Sequence, residues 1–240
     1  MRLKKSTLPE DARPFLCSKK DVFLYTDTAD DTGLVQPPDK IVARYALTIY
    51  PYSLDESPRQ LIDEVKTPIP GAPGRPARYD YEYKRHGVCN VFMSNEPLAG
   101  KRMVKVTERK TKQDWALFIA EIAQCYSDAE KITLVMDNLN THKPGSLYEA
   151  FPPDKAKKLW DRFDFVYTPK HGSWLNMAEI ELNVLIRQCL NRRIPDIATV
   201  ATEVDAWQNH RNTRNATINW QFTTKDARIK LRRLYPTLHA

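Results

Sequence analysis

The stretch ITLVMDNLNTHK, residues 132–143, decides the fold, because a short apolar run there ends in an acidic residue. The run from Ile132 to Met136 is typical of a strand that is buried on both faces of a mixed sheet. Asp137 follows this strand directly. Since α/β proteins collect ligand-binding groups at the carboxyl ends of their strands, Asp137 is the first candidate for a functional residue.

Strands and helices alternate on either side of this run. Strands are predicted at 41–50, within 79–93, at 102–107 and at 164–168. Helices are predicted at 113–126, within 146–163, at about 176–191 and at 195–209. This order makes α/β the predicted fold class, with a mixed sheet flanked by helices.

Three segments depart from that pattern. Residues 1–40 contain four prolines and are predicted to be an extended N-terminal arm or residual linker ahead of a domain at 41–240. Residues 67–78, TPIPGAPGRPAR, are predicted to be a projecting loop of polyproline character whose backbone joins no sheet. Residues 192–240 are predicted to form a helical tail with a basic end.

The charge balance is basic, with 37 Lys and Arg against 30 Asp and Glu and a net charge of +7. A polyanion such as DNA is a plausible partner, and an ordinary basic protein is an equally good interpretation of charge alone. The four cysteines are widely spaced and are expected to be reduced packing residues. No apolar run approaches the length of a membrane span, so cytoplasmic placement without a membrane partner is expected.

Three acidic residues stand at predicted element ends. Asp55 follows an apolar segment, Asp137 ends the buried strand, and Glu179 lies in the first turns of a helix. Converging carboxylates can hold two divalent cations about 3.5 to 4 Å apart, which stabilise the attacking and leaving oxygens in phosphoryl transfer. Three acids among 30 prove little by themselves, and solvated or helix-capping acids are the favoured alternative at this point.

The residues around two of these acids carry a family resemblance. The stretches LVMDNLNTHK at 134–143 and YTPKHGSWLNMAEIEL at 167–182 resemble the DDE transposases of bacterial insertion sequences, in the branch related to mariner elements. In that family the second catalytic Asp is followed by Asn and then His, matched here by Asp137, Asn138 and His142. The third acid follows a turn-like Pro and an Asn-containing motif, which selects Glu179 ahead of Glu181.

The likeness extends from roughly 54 to 236. The family's first Asp closes a strand and is commonly followed by Glu, which matches Asp55 and Glu56. Two features depart from the family. Pro51, within IYPYSLDES, is expected to disrupt a central strand and leave Asp55 poorly positioned. The interval from Asp137 to Glu179 is also longer than in the best-known mariner relatives.

The resemblance implies a ribonuclease-H-like fold that cleaves DNA at an element end, after which the freed 3′-hydroxyl attacks target DNA. The catalytic residues and ligands of Mg²⁺ or Mn²⁺ would be Asp55, Asp137 and Glu179, and the residues that support the site would be Glu56, Asn138 and His142. Phosphate contacts are expected at Arg75, Arg78, Lys170, His171, Lys230, Arg232 and Arg233. Solvated surface is the ordinary alternative for such residues, and for the neighbouring Trp174 packing is slightly favoured over stacking on DNA.

The resemblance also implies partners. A loop at the place of 67–78 helps to join two subunits around DNA in mariner relatives, so a homodimer on insertion-sequence ends and target DNA is expected. Relatives usually carry helix-turn-helix modules before the core, and the residues ahead of Asp55 show no such pair of helices. A separate helix-turn-helix polypeptide is therefore expected to read the ends.

Two alternative functions stay open. The first is a catalytically inactive DNA-binding remnant, for which the irregular stretch before Asp55 argues. The second is another nuclease of the same fold, such as a junction resolvase, from which the local motifs point away.

Overall fold

The computed structural model describes residues 52–168, 172–223, 226 and 229–230. Five strands form one sheet in the order β3-β2-β1-β4-β5. They are β1 (Tyr52–Glu64), β2 (Tyr83–Glu96), β3 (Lys101–Thr107), β4 (Ile132–Met136) and β5 (Phe163–Tyr167). Strands β1 to β3 are antiparallel, whereas β4 runs parallel to both β1 and β5. The predicted mixed sheet is confirmed, while the arm at 1–40 and the strand at 41–50 lie outside the described residues.

Among the described residues, five α-helices accompany the sheet. They are α1 (Lys112–Cys125), α2 (Pro144–Ala150), α3 (Pro153–Arg162), α4 (Met177–Leu185) and α5 (Ile197–Thr213). A 3₁₀ turn, Ser173–Leu175, precedes α4, and a π-helical turn, Ile186–Leu190, follows it. The helical stretch predicted within 146–163 is divided in two, because Pro153 has no amide hydrogen to continue a helix and instead begins α3.

The helices cover both faces of the sheet. On one face, the apolar side of α1 packs with residues of α2 and α3 against Leu54, Phe92 and Leu134. On the other face, α4 and α5 pack against Val91, Met93 and Val104. Neighbouring residues of β1 and β2 therefore point into different helical layers. None of the described helices combines the length and the apolar character needed to cross a membrane.

The proline-rich segment 67–78 lies between β1 and β2 and is exposed. Ile69 and Arg78 exchange two backbone hydrogen bonds of 3.0 Å, and Ala72 and Arg75 exchange two of 2.9 and 2.8 Å. The expected polyproline-like backbone is therefore wrong at these pairs. The prolines permit this pairing, because Pro70, Pro73 and Pro76 lie between the paired residues and Pro68 precedes the first pair, so none has to supply an amide donor.

Candidate active site

Asp55 and Asp137 lie where β1 and β4 separate. Tyr52 pairs with Leu134 and Ser53 with Val135, and no later β1–β4 pair occurs among the described residues. Asp55 lies two residues after Ser53, and Asp137 lies two residues after Val135. The gap beyond the carboxyl end of a parallel strand is where α/β proteins bind ligands, so the two acids occupy neighbouring positions at such a gap.

Asp55 lies in a regularly paired part of β1. Ser53 pairs with β2 on one side and β4 on the other, and Asp55 itself lies opposite Met93 in register with β2. Asp55 therefore lies within a regular central strand rather than after the end of one. Pro51, which was expected to disturb this strand, is outside the described residues.

Asn176 brings the third acid toward β1. Its side-chain oxygen accepts a hydrogen bond from the Ala178 amide at 3.2 Å, which caps the first turn of α4. Its side-chain nitrogen donates to the carbonyl oxygen of Leu54 at 2.8 Å. One buried Asn thus attaches the start of α4, where Glu179 lies, to the residue that precedes Asp55.

The electrostatic environment of Asp55 is dominated by burial and negative charge. Burial raises the pKa of Asp55 to about 7; the amide of Glu56, which donates to Asp55 Oδ1 at 2.8 Å, opposes this rise, and the charges of Glu56, Asp137 and Glu179 add to it. A divalent cation would relieve this accumulation of negative charge.

Asp55→Asn should therefore stabilise the protein in metal-free buffer. The folded state holds the Asp55 proton more tightly than the unfolded chain does, so ionisation costs stability as pH rises from the unfolded pKa toward 7. Relative to wild type, we expect the melting temperature of the variant to gain roughly 5 °C between pH 5 and pH 7 and little above that. Thermal melts with EDTA measure this. A gain that is the same at every pH, or one shared by Asp128→Asn at an exposed position, would contradict it.

His142 connects two of the acidic positions from inside the protein. Its Nδ1 lies 2.8 Å from Asp137 Oδ1, and its Nε2 lies 3.2 Å from Glu56 Oε2. Burial lowers the pKa of His142, but hydrogen bonds to Asp137 and Glu56 outweigh this effect and raise the pKa to about 9. Glu56 and His142 are thus in contact, and their supporting role in the site stays a prediction. Asn138 does not join them, and its side chain accepts a hydrogen bond from Lys143 instead.

Glu181 is paired with two arginines. Arg102 Nε lies 3.0 Å and Arg211 Nε 2.7 Å from Glu181 Oε1, and Arg211 also reaches Oε2 at 3.2 Å. The side chains of Arg102 and Glu181 are 2% and 1% exposed. Glu181 is thus a buried ion-pair partner, and Glu179 stays the predicted third acid. The sequence patterns did not predict this cluster. The available signal was Arg102, which lies on the same side of β3 as the buried Val104.

Three of the predicted DNA contacts, Arg75, Arg78 and Lys230, lie in the described segments. Arg75 and Arg78 are exposed on the segment 67–78. Lys230 Nζ lies 4.4 Å from the ring centroid of Trp174, which also packs edge-on against Phe222 at 4.9 Å. Packing of Trp174 is therefore observed. Lys170, His171, Arg232 and Arg233 lie outside the described residues.

The donor chemistry of the site suits a hard divalent cation. Mg²⁺ is commonly held by one or two carboxylates, with waters and substrate phosphate oxygens completing its shell. Asp55 and Asp137 can supply such oxygens at the separation of β1 and β4. Within the described segments, however, no group of three or more His, Cys, Asp or Glu side chains is arranged to hold a metal. The carboxylates fit the cation in chemical type, and the set of three ligands is not preformed in the described segments.

Comparisons with known proteins identify the fold. The Mos1 mariner paired-end complex with Mn is similar, with a TM-score of 0.52 and 12% identity, over 75% of this chain and 54% of that one. The Mos1 strand transfer complex gives a TM-score of 0.51 and 10% identity, over 75% and 55%. At these identities the likeness concerns the fold alone, and it confirms the predicted ribonuclease-H-like sheet. The present chain matches little more than half the length of those chains.

The family assignment comes from a comparison of the sequence. No curated protein matches it significantly. A family model described as DDE superfamily endonuclease matches residues 51–201, a span that contains Asp55, Asp137 and Glu179. Because this match covers more than half of the 240 residues, the chain belongs to the DDE endonuclease superfamily.

Proposed function

We propose that this protein is a transposase that cleaves DNA at insertion-sequence ends and joins the freed 3′ end to target DNA, using Mg²⁺ or Mn²⁺ held by Asp55, Asp137 and Glu179. The observation that carries the proposal is the neighbouring position of Asp55 and Asp137 at the separation of β1 and β4. The tie from Asn176 to Leu54, which sets the start of α4 beside them, supports it further.

Each acid has a distinct role in this proposal. Asp55 and Asp137 present oxygens from adjacent strands, and Glu179 approaches from α4 on the face of the sheet that α4 and α5 cover. Asp55, with a pKa of about 7, loses its proton before it acts as a ligand. The bound cation supplies the Lewis acid that stabilises the attacking and leaving oxygens. No covalent bond between protein and DNA is needed.

DNA and a second copy of the chain are the proposed partners, with a separate helix-turn-helix polypeptide to read the ends. Solved relatives of the fold are complexes with transposon ends, as in the Mos1 paired-end complex with the left transposon end. Here the net charge of +7 favours a polyanion. The segment between β1 and β2 also exposes Ile69, Tyr79 and Tyr81 at 62%, 67% and 86%, which suits a contact surface.

Arg75 and Arg78 should contribute phosphate contacts. Replacing both with Gln should weaken DNA binding and lower the slope of log affinity against log salt by about 0.9 for each phosphate that is no longer neutralised, because fewer counterions are released. Fluorescence anisotropy over a salt series measures this slope. The matched control replaces Lys131 and Lys158 with Gln. Both lysines are exposed and lie outside the segment 67–78, so the control changes the charge equally. Equal slopes for the two double variants would remove Arg75 and Arg78 from the DNA-binding surface.

A noncatalytic DNA-binding protein is the second candidate, because no three-ligand metal group is preformed in the described segments. The regular pairing of β1 around Asp55 argues against it. Strand cleavage and transfer on DNA with the native element ends, with Mg²⁺, Mn²⁺ or EDTA, separates the two. The transposase proposal requires metal-dependent products, and DNA binding without any cleavage in either metal would favour the noncatalytic candidate.

A further inference from the structure

We propose that His142 and Glu56 act as positioning residues that fix the carboxylate of Asp137 for cation binding, with Lys110 as the outer member of the same chain of contacts. The inference rests on the proposed role of Asp137 as a metal ligand. It assigns a task to two buried polar side chains that the proposed chemistry does not otherwise use.

Both nitrogens of the His142 ring face carboxylate oxygens. Nδ1 lies 2.8 Å from Asp137 Oδ1, and Nε2 lies 3.2 Å from Glu56 Oε2. Nδ1 donates a hydrogen bond to the Asp137 backbone oxygen at 3.0 Å, and the contacts of the ring with Asp137 Oδ1 and Glu56 Oε2 are ion-pair contacts. The exposed fractions of the His142 and Glu56 side chains are 0% and 1%, so water does not compete for either contact.

The surroundings hold the imidazole in one orientation. The Tyr167 hydroxyl donates to the His142 carbonyl oxygen at 2.8 Å, and the His142 amide donates to the Leu139 carbonyl at 3.1 Å. The Trp115 ring lies against the imidazole, with the ring centroids 5.6 Å apart. The ring that contacts Asp137 is therefore fixed through its backbone and by packing on one face.

Lys110 extends this chain of contacts toward the surface. Its Nζ lies 3.3 Å from Glu56 Oε1, and Glu56 Oε2 lies 3.2 Å from His142 Nε2. A buried carboxyl group is costly unless polar or charged groups contact it, and the Glu56 side chain, 1% exposed, has Lys110 and His142 as such partners.

The proposed positioning of the Asp137 carboxylate depends on which of its two oxygens contacts His142. His142 Nδ1 lies 2.8 Å from Oδ1, so in this proposal the other carboxylate oxygen is left to a cation and the contact with the ring limits rotation of the side chain. Glu56 also acts on the first acid, because its amide donates to Asp55 Oδ1 at 2.8 Å. Removing partners that orient metal ligands in this way typically changes metal affinity by about 10 to 100-fold.

Mn²⁺ calorimetry on the full chain tests the inference with a pair of His142 variants. The side-chain nitrogen of Asn can replace Nδ1, whereas that of Gln replaces Nε2. His142→Asn should therefore keep most of the Mn²⁺ affinity, and His142→Gln should lose about 10 to 100-fold. Glu56→Gln should lower the affinity in the same direction, because it removes the charge that holds His142. Glu149→Gln, which disrupts an exposed ion pair with Lys112, is the control and should have no effect.

The outcomes separate this inference from the proposed function. If Mn²⁺ affinity is unchanged in Asp137→Asn, the metal site itself is misassigned. If Asp137→Asn loses binding while His142→Gln and Glu56→Gln keep the wild-type affinity, the site stands and the positioning role is overturned. Circular dichroism checks the fold of each variant. Should His142→Gln fail to fold, Glu56→Gln decides in its place, and unchanged affinity there overturns the inference.

Discussion

Replacing Asp137 with Ala is expected to lower the rate of DNA strand cleavage by at least about a thousandfold without unfolding the chain. In the proposed mechanism the change removes metal-ligand oxygens at the end of β4, and with them the charge stabilisation of the transition state. A thousandfold corresponds to about 4 kcal/mol at 1.36 kcal/mol for each factor of ten.

The fold should survive this change because Asp137 is not a packing residue. Its side chain is 29% exposed. After its removal, His142 keeps Glu56 as a partner, and its Nδ1 keeps the backbone oxygen of residue 137, which lies 3.0 Å away.

Single-turnover cleavage with Mg²⁺ and a thermal melt of the same sample measure the two parts of this prediction. Asp128→Ala removes an equal charge at an exposed position and should retain the full rate. A cleavage rate for Asp137→Ala within tenfold of wild type would show that another carboxylate carries the reaction.

Glu181→Gln is expected to have the largest effect on stability, a loss of about 3 to 5 kcal/mol in the free energy of unfolding. Burial lowers the pKa of Arg102, and the charge of Glu181 is what opposes this shift. Without that charge, the Arg102 guanidinium is buried beside Arg211, another cation, and has no counter-charge. Truncating one partner of a buried pair is costly for this reason.

Urea denaturation measures the loss, and an exposed ion pair provides the control. Glu203 pairs with Arg192 at 2.6 Å, with side chains 41% and 53% exposed, so Glu203→Gln should cost less than about 1 kcal/mol. Glu179→Gln should behave in the opposite way to Glu181→Gln, losing cleavage while keeping stability. If Glu181→Gln kept its stability and Glu179→Gln lost it, the assignment of the third acid would be reversed.

Local patterns predicted much of the fold. The run before Asp137 forms a fully buried strand, as its apolar composition indicated. The periodicity of Trp115, Phe118, Ile119 and Ile122 predicted the buried face of α1. Such signals succeed because burial on one element is recorded in the order of its own residues. The position of Asp137 at the strand end followed from the same information.

Contacts between distant residues were harder to predict. The pairing of Glu56 with His142 joins β1 to the loop after β4, and the pairing of Arg102 with Glu181 joins β3 to α4. Periodicity shows that a side chain is buried, but it does not show which distant group it meets. Likewise, Ser53 pairs with both β2 and β4, and pairing between strands from distant parts of the chain is not recorded in the local sequence.

The most direct test of the central claim is anomalous diffraction from Mn²⁺ in crystals of the chain bound to an uncleaved DNA end. We expect Mn²⁺ beside the carboxylates of Asp55 and Asp137, with Glu179 and a phosphate oxygen completing the site, and a second ion about 3.5 to 4 Å away if two metals act. Mn²⁺ bound elsewhere on the protein, with no ion at Asp55 or Asp137, would contradict it.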